Sequence, residues 1–382
     1  MLMRNSVLSF EEIRPYRDEE VKAVMARLSQ KHSFKILLQY FFPGQSIEDI
    51  ERGLLEVESS ADFQDKYISK AIRRMKEEST TELSHEGFEF IDKKQSYFFI
   101  SNHRDIILDP GFLNFLLHRE GFETTQNAIG DNLLVSGLVT DLMKMNKSFI
   151  VHRSVERKDM LSFSKRLSAY VYEVLESGQS IWMAQRSGRA KDGNDHTNPA
   201  LLKMLNLSGA GEIDENFLQL NLTPMAISYE FEPCDMLKAE ELVHQRMRLP
   251  YEKDDKVAMI RGIRDPKGRV HLKVGKSIGD KIRQIPKGGR LNDYFKALAN
   301  LIDREIWALY KLWPNNFIAY DLIEGKDQFW NFYSKEEKQI FLDYMEKKLK
   351  GIKGDPKMLR EQFLLIYANP LRNKLDADLG LY

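Results

Sequence analysis

Apolar residues in the first part of the chain recur at three- and four-residue steps. Val21, Val24, Met25 and Leu28 open the series, and Pro43-Gly44 punctuates it. This spacing predicts a helical N-terminal region over 19–78. Residues 49–56 continue it, and a third helix over 61–78 carries Arg73, Arg74 and Lys76 on a solvated face. The richest apolar run, 34–42 (FKILLQYFF), is broken by Lys35 and Gln39. It reads as a buried or interfacial helix, too short to span a bilayer.

The period then changes. Residues 83–91 alternate around Gly87, and 96–100 (SYFFI) form a short β-rich run that stops at Ser101-Asn102-His103. After Asp109 the pattern turns helical to 120, with Asp109 suited to the N-cap and Pro110 to the first helical position; Phe112, Phe115 and Leu116 share a face. Strands are expected at 149–151, 180–184, 222–229 and, after the turn Asp265-Pro266-Lys267-Gly268, at 270–274. A helix is expected at 158–175, and others at 291–310, 335–349 and 356–367. Strands alternating with helices argue for a layered α/β domain over 81–285, between a helical N-terminal region (1–80) and a helical C-terminal region (286–382).

Composition narrows the class. With 382 residues, 42% hydrophobic and 30% charged, the chain belongs with soluble globular proteins. Lys+Arg and Asp+Glu both number 57, so there is no global basic field to attract nucleic acid, and any polyanion site must be local. The single cysteine, Cys234, cannot close an internal disulfide, which fits a reducing compartment and removes Cys-rich zinc sites. Residues 1–17 lack the basic-then-apolar order of a signal peptide, and no run reaches the roughly 18 apolar residues of a spanning helix. A cytoplasmic protein is expected.

Four spots could carry chemistry. In Ser101–Asp109 a histidine leaves a strand, and two carboxylates, Asp105 and Asp109, follow it. His held by Asp is a general-base pair, although Asp109 also has a sufficient structural role as a helix cap. One carboxylate has two oxygens and can do both. Next, 149–153 is a strand delivering Arg153, which on its own reads as a surface residue or ion-pair partner. In 182–193 a strand runs into a glycine-containing loop holding Arg186, Arg189 and Lys191. Guanidinium forks and free N–H groups there suit a phosphate, while the plainer reading is a solvated basic loop. Finally, 222–230 reads as a buried strand kinked at Pro224.

The order of these spots resembles the glycerophosphate and lysophosphatidate acyltransferase superfamily. Asn102-His103 to Asp109 is similar to the family's Asn-His-x4-Asp block, with five intervening residues instead of four. Either the loop bulges by one residue or Asp105 takes the orienting role. Ile150–Arg153 resembles the second block, Met183–Ser187 the third (Glu-Gly-Thr-Arg-Ser), and Pro224–Tyr229 the fourth. Met183 stands where the family has glutamate and Ala184 where it has glycine. The resemblance covers about 83–274.

It implies an acyltransferase-like α/β layer with a central mixed sheet flanked by helices, and transfer of a fatty acyl chain from a coenzyme A or acyl carrier protein thioester to a glycerolipid hydroxyl, such as that of 1-acylglycerol-3-phosphate. His103 would be the base, with Asp109 or Asp105 orienting it. Asn102, Arg104, Arg153, Arg186, Ser187, Arg189 and Lys191 would contact substrate. No metal or cofactor beyond the thioester co-substrate is implied, and a chain without a spanning helix would work peripherally at the inner face of the membrane. Acylation of an aminolipid, or a non-catalytic lipid-binding role, are the alternatives. Ser187 lacks the G-x-S-x-G elbow of a hydrolase.

Overall fold

The computed structural model describes residues 9–153, 156 and 158–379. Seven strands form one sheet: β1 (Thr80–Glu86), β2 (Phe98–Ser101), β3 (Gln126–Gly130), β4 (Ser148–Val151), β5 (Ile181–Ala184), β6 (Leu222–Tyr229) and β7 (Gly268–Val274). Their order is β1-β7-β6-β2-β5-β3-β4. Only β6 and β7 pair antiparallel, so five strands run one way and β1 and β7 the other. The mixed sheet flanked by helices holds as expected.

Strand periodicity explains why the central strands read as continuous apolar runs. Phe98, Ile100, Ile181 and Met183 point into one core, shared with the helices Met160–Glu176 and Leu291–Ala308. Phe99, Trp182 and Met225 point into another, closed by Leu113, Leu116 and Leu117 of the helix Leu108–Arg119. A sheet covered on both faces has no polar side to alternate with.

Before β1, the helices Asp18–Ser29, His32–Phe41 and Ile47–Leu55 bury Val21, Met25, Phe34, Ile50 and Leu54 in a core of their own. The third predicted helix is interrupted: Ser60–Phe63 passes through a π-helical stretch, Gln64–Ile68, into Ser69–Ser79. After β7 come Leu291–Ala308, Pro314–Glu324, Lys335–Leu349 and Pro356–Leu379.

The structure corrects the start of the helix after β2. It begins at Leu108, with Asp109 inside its first turn and Pro110 one residue further in. The capping carboxylate is Asp105, whose Oδ1 accepts from the main-chain N–H of Ile107 (2.9 Å) and Leu108 (2.8 Å). The last helix continues past 367 through Pro370, because Ile366, Tyr367 and Leu371 are buried along it. No helix among the described residues is long and apolar enough to cross a membrane.

Candidate active site

The parallel strands β2, β5, β3 and β4 deliver their carboxyl ends to one edge of the sheet, where open α/β sheets place their ligands. From β2 comes His103. Its Nδ1 lies 2.8 Å from Asp109 Oδ2, and its ring meets the edge of Trp182 at 5.5 Å. A carboxylate can only accept, so Nδ1 carries the proton and Nε2 is left with the lone pair that a base needs.

Asp109 is fully buried and fully engaged. Oδ2 also accepts from the main-chain N–H of Arg104 (2.6 Å) and Asp105 (3.0 Å), and Oδ1 accepts from the Tyr229 hydroxyl (2.7 Å). The longer spacing is thus absorbed by the loop, and Asp109 touches His103 while Asp105 holds the helix. Asp105 is buried with its Oδ2 unpartnered, and burial first, then the neighbouring Asp109 charge, raises its pKa.

Two residues expected to contact substrate face inward instead. Asn102 is buried and bridges to β6, its Nδ2 donating to the Ile227 carbonyl (2.9 Å) and its Oδ1 accepting from the Ile227 N–H (3.0 Å). A side-chain amide there replaces two ladder bonds where the chain leaves β2. Arg104 is buried against Asp195 and Glu232, its guanidinium neutralised inside the fold. Asn102 cannot reach a ligand without breaking those contacts, whereas Arg104 keeps one nitrogen, Nη1, without a hydrogen-bond partner beside a small pocket lined by Tyr229, Tyr310 and Tyr367.

The remaining cations converge. A cleft of about 370 Å³ is lined by Arg153, Arg186, Ser187, Arg189 and Lys191, with Glu241 and Lys253 across from them. Arg189 is buried and its Nη1 has no protein partner. Lys191 meets Glu241 at 2.6 Å, and burial, followed by the Arg189 charge, brings its pKa down to about 8. The loop is fastened beside the base: the Ala190 N–H donates to the His103 carbonyl (3.1 Å) and the Gln185 N–H to that of Ser101 (2.9 Å).

Arg153 follows β4, which is not adjacent to the strand of the basic loop: β3, absent from the sequence reading, lies between β4 and β5. Its side chain lies against Gly130 at the end of β3, in the space a Cβ would take. Among the described residues no group of three or more His, Cys, Asp or Glu side chains gathers to hold a metal.

Residues 82–207 match the family model described as Acyltransferase. The chain carries an acyltransferase-superfamily domain. Within it fall His103, Asp109, Arg153 and the whole basic loop, whereas Tyr229, Glu241 and Lys253 come from beyond the matched segment of that acyltransferase domain. Tyr229 was hidden in the sequence as plain core, and the helical insertion carrying Glu241 left no motif. Among solved structures, that of 1-acyl-sn-glycerophosphate acyltransferase, PlsC, from Thermotoga maritima is 14% identical. It aligns over 75% of this chain and 95% of that one, with a TM-score of 0.38. No curated protein sequence matches the chain.

Proposed function

We propose that the protein transfers a fatty acyl chain from a coenzyme A or acyl carrier protein thioester to the hydroxyl of a phosphate-bearing glycerolipid precursor such as 1-acylglycerol-3-phosphate. The observation that carries this reading is a His–Asp pair at a strand end with a cleft lined by five cations, Arg153, Arg186, Arg189, Lys191 and Lys253, fastened next to it.

His103 Nε2 takes the hydroxyl proton as the oxygen attacks the thioester carbonyl carbon. The carbon–sulfur bond then breaks, and the imidazolium returns its proton to the leaving thiolate. Asp109 keeps the reactive tautomer and stabilises the imidazolium, while Tyr229 and two main-chain N–H groups hold Asp109 in place. Arg153, Arg186, Arg189 and Lys191 hold the acceptor phosphate through charge-assisted bonds. Ser187, exposed on the same loop, supplies a neutral hydroxyl at the mouth.

Purified protein incubated with labelled acyl thioester and a panel of lysolipid acceptors tests this reading. General-base help is worth roughly 10² to 10⁴ in rate, so His103→Ala should lose about that much while keeping its circular dichroism. Equal turnover in the two proteins would remove His103 from the mechanism. Glu241 favours one second reading: a carboxylate among the cations suits an acceptor bearing an ammonium as well, such as an aminolipid. Preference for such an acceptor over 1-acylglycerol-3-phosphate in the same panel would select it.

A further inference from the structure

Between β6 and β7 the chain inserts two helices, Asp235–Met247 and Asp255–Arg264, and the second has two unlike faces. Its inner face packs on the site. The Ala258 carbonyl accepts from Cys234 Sγ (3.2 Å), and Gly262 lies so close to the Asp105 carboxylate that a Cβ would collide with it. Its outer face presents Val257, Ile260 and Arg264, at i, i+3 and i+7, all exposed. The end of the first helix and the turn after it, 245–250, are exposed throughout and add Met247 and Leu249. These four apolar side chains are 40–54% exposed, which leaves much of their hydrocarbon in water.

The face continues onto a second element. The Arg264 guanidinium lies 5.6 Å above the Tyr40 ring, and one turn before Tyr40 the exposed Ile36 and Leu37 stand on the helix His32–Phe41. Charge follows the same line. The chain as a whole is neutral, yet 246–264 carries six Lys or Arg against three acids. Two of those acids are occupied, Asp254 by the N–H groups of Lys256 and Val257 and Asp255 by Lys253 (2.9 Å) and the Asn132 amide. Of the cations, Arg246 pairs with Glu361 and Arg261 with Asp265, so the charge offered outward is that of Arg248, Lys256 and Arg264. Gln245 and Lys253, on either side of the turn, line the cleft of Arg153 and Arg186.

We propose that this face docks on an anionic lipid bilayer, with Val257 and Ile260 at the headgroup–acyl boundary and the cations toward the headgroups. Apolar side chains set singly among cations, on a helix lying along the surface, match the chemistry of such a boundary. The proposal rests on the acyltransferase reading only in its purpose: an amphiphilic acceptor would then pass from the bilayer into the adjoining cleft without crossing water.

The full chain would be sedimented with vesicles of phosphatidylcholine plus phosphatidylglycerol, and with phosphatidylcholine alone. Binding to the first, weak binding to the second and loss of binding at high salt are expected. A Val257→Ser/Ile260→Ser variant should bind about tenfold or more weakly, and Lys256→Glu/Arg264→Glu should also release the protein, both with unchanged circular dichroism. Vesicle binding equal to that of the native chain in both variants, or none by the native chain, overturns the proposal. So does a serine variant that binds vesicles normally but loses activity only with a carrier-protein thioester, since that marks a protein interface. Binding is read without turnover, so an inactive chain that still binds refutes the acyltransferase reading and supports the docking face.

Discussion

Two carboxylates four residues apart have divided their duties by the groups that reach them. Asp109 receives four donors including His103 Nδ1, whereas Asp105 receives the two N–H groups that open the helix. Asp109→Asn should remain folded and lose roughly 10²-fold or more in turnover, because an amide can present its NH₂ to Nδ1 and favour the wrong tautomer. Asp105→Ala should instead cost about 0.5 to 2 kcal/mol in denaturant unfolding. If Asp105→Ala is stable but inactive while Asp109→Asn turns over normally, the division is reversed. Lys191 adds a pH dependence. Its folded pKa of about 8 lies below the ordinary 10.5, so its charge is present below pH 8 and lost as pH rises through that value. The acceptor KM should therefore climb above pH 8 with the thioester KM unchanged, and Lys191→Arg should flatten the profile. Unfolding cannot mimic this. Between 8 and 10.5 the unfolded lysine holds the proton that the folded one has released, so this group makes the fold more stable as pH rises.

Elements came through the sequence where periodicity or punctuation was strong and failed where neither existed. β6 (Leu222–Tyr229) and the helix Lys335–Leu349 match their expected limits, the first a buried strand that continues through Pro224 and the second opened by Ser334 and Glu337 as a capping box. β3 was missed because QNAIG has neither alternation nor β-branched density, and Asn127 is buried by bonding Asn114 rather than by being apolar. That omission carried into the site, since Arg153 must reach past β3 to join the basic loop. His103 and its acid were visible because polar residues interrupt a strand end. The inward turn of Asn102 and Arg104 was invisible because their partners, Ile227 and Asp195, are more than ninety residues away. Gly130 is the sequence trace of the missing strand. Gly130→Ala would place a methyl where the Arg153 guanidinium and the Asn132 amide oxygen now lie, and these side chains should yield rather than the backbone. The variant should stay folded by circular dichroism and show a several-fold higher acceptor KM with an unchanged thioester KM; identical kinetics would mean that Arg153 makes no contact with the acceptor.

At the scale of the whole molecule, the C-terminal helices form part of the site's frame. Arg104, next to the base, is neutralised by Asp195, which also accepts from the Tyr310 hydroxyl and whose carbonyl receives Trp307 Nε1 at 2.8 Å. The end of the basic loop is gripped in the same way. Gly193 has φ 74° and sits against the Ile366 carbonyl where no side chain fits, and Asn369 Nδ2 donates to the Asp192 carbonyl at 2.7 Å. Leu359, Phe363, Ile366, Tyr367 and Leu371 are each no more than 2% exposed. Burying a side chain of that size contributes about 1.5 to 3 kcal/mol, so five of them rival the 5 to 15 kcal/mol that holds a typical domain together. A chain ended at Asp355 should therefore show no cooperative unfolding transition, and a truncated protein that unfolds cooperatively and transfers acyl groups would show the helix to be dispensable. A gentler change separates stability from positioning. Asn369→Ala removes two bonds, the one it donates to the half-buried Asp192 carbonyl and the one its Oδ1 accepts from Arg372 Nη1 (3.0 Å), so the fold should survive with a loss of about 1 to 3 kcal/mol. The loop carrying Arg186, Arg189 and Lys191 would lose an anchor, and the acceptor KM should rise while the thioester KM and the His103-dependent rate at saturation stay close to native. Equal rises in both KM values would mean that the last helix supports the fold without aiming the cations.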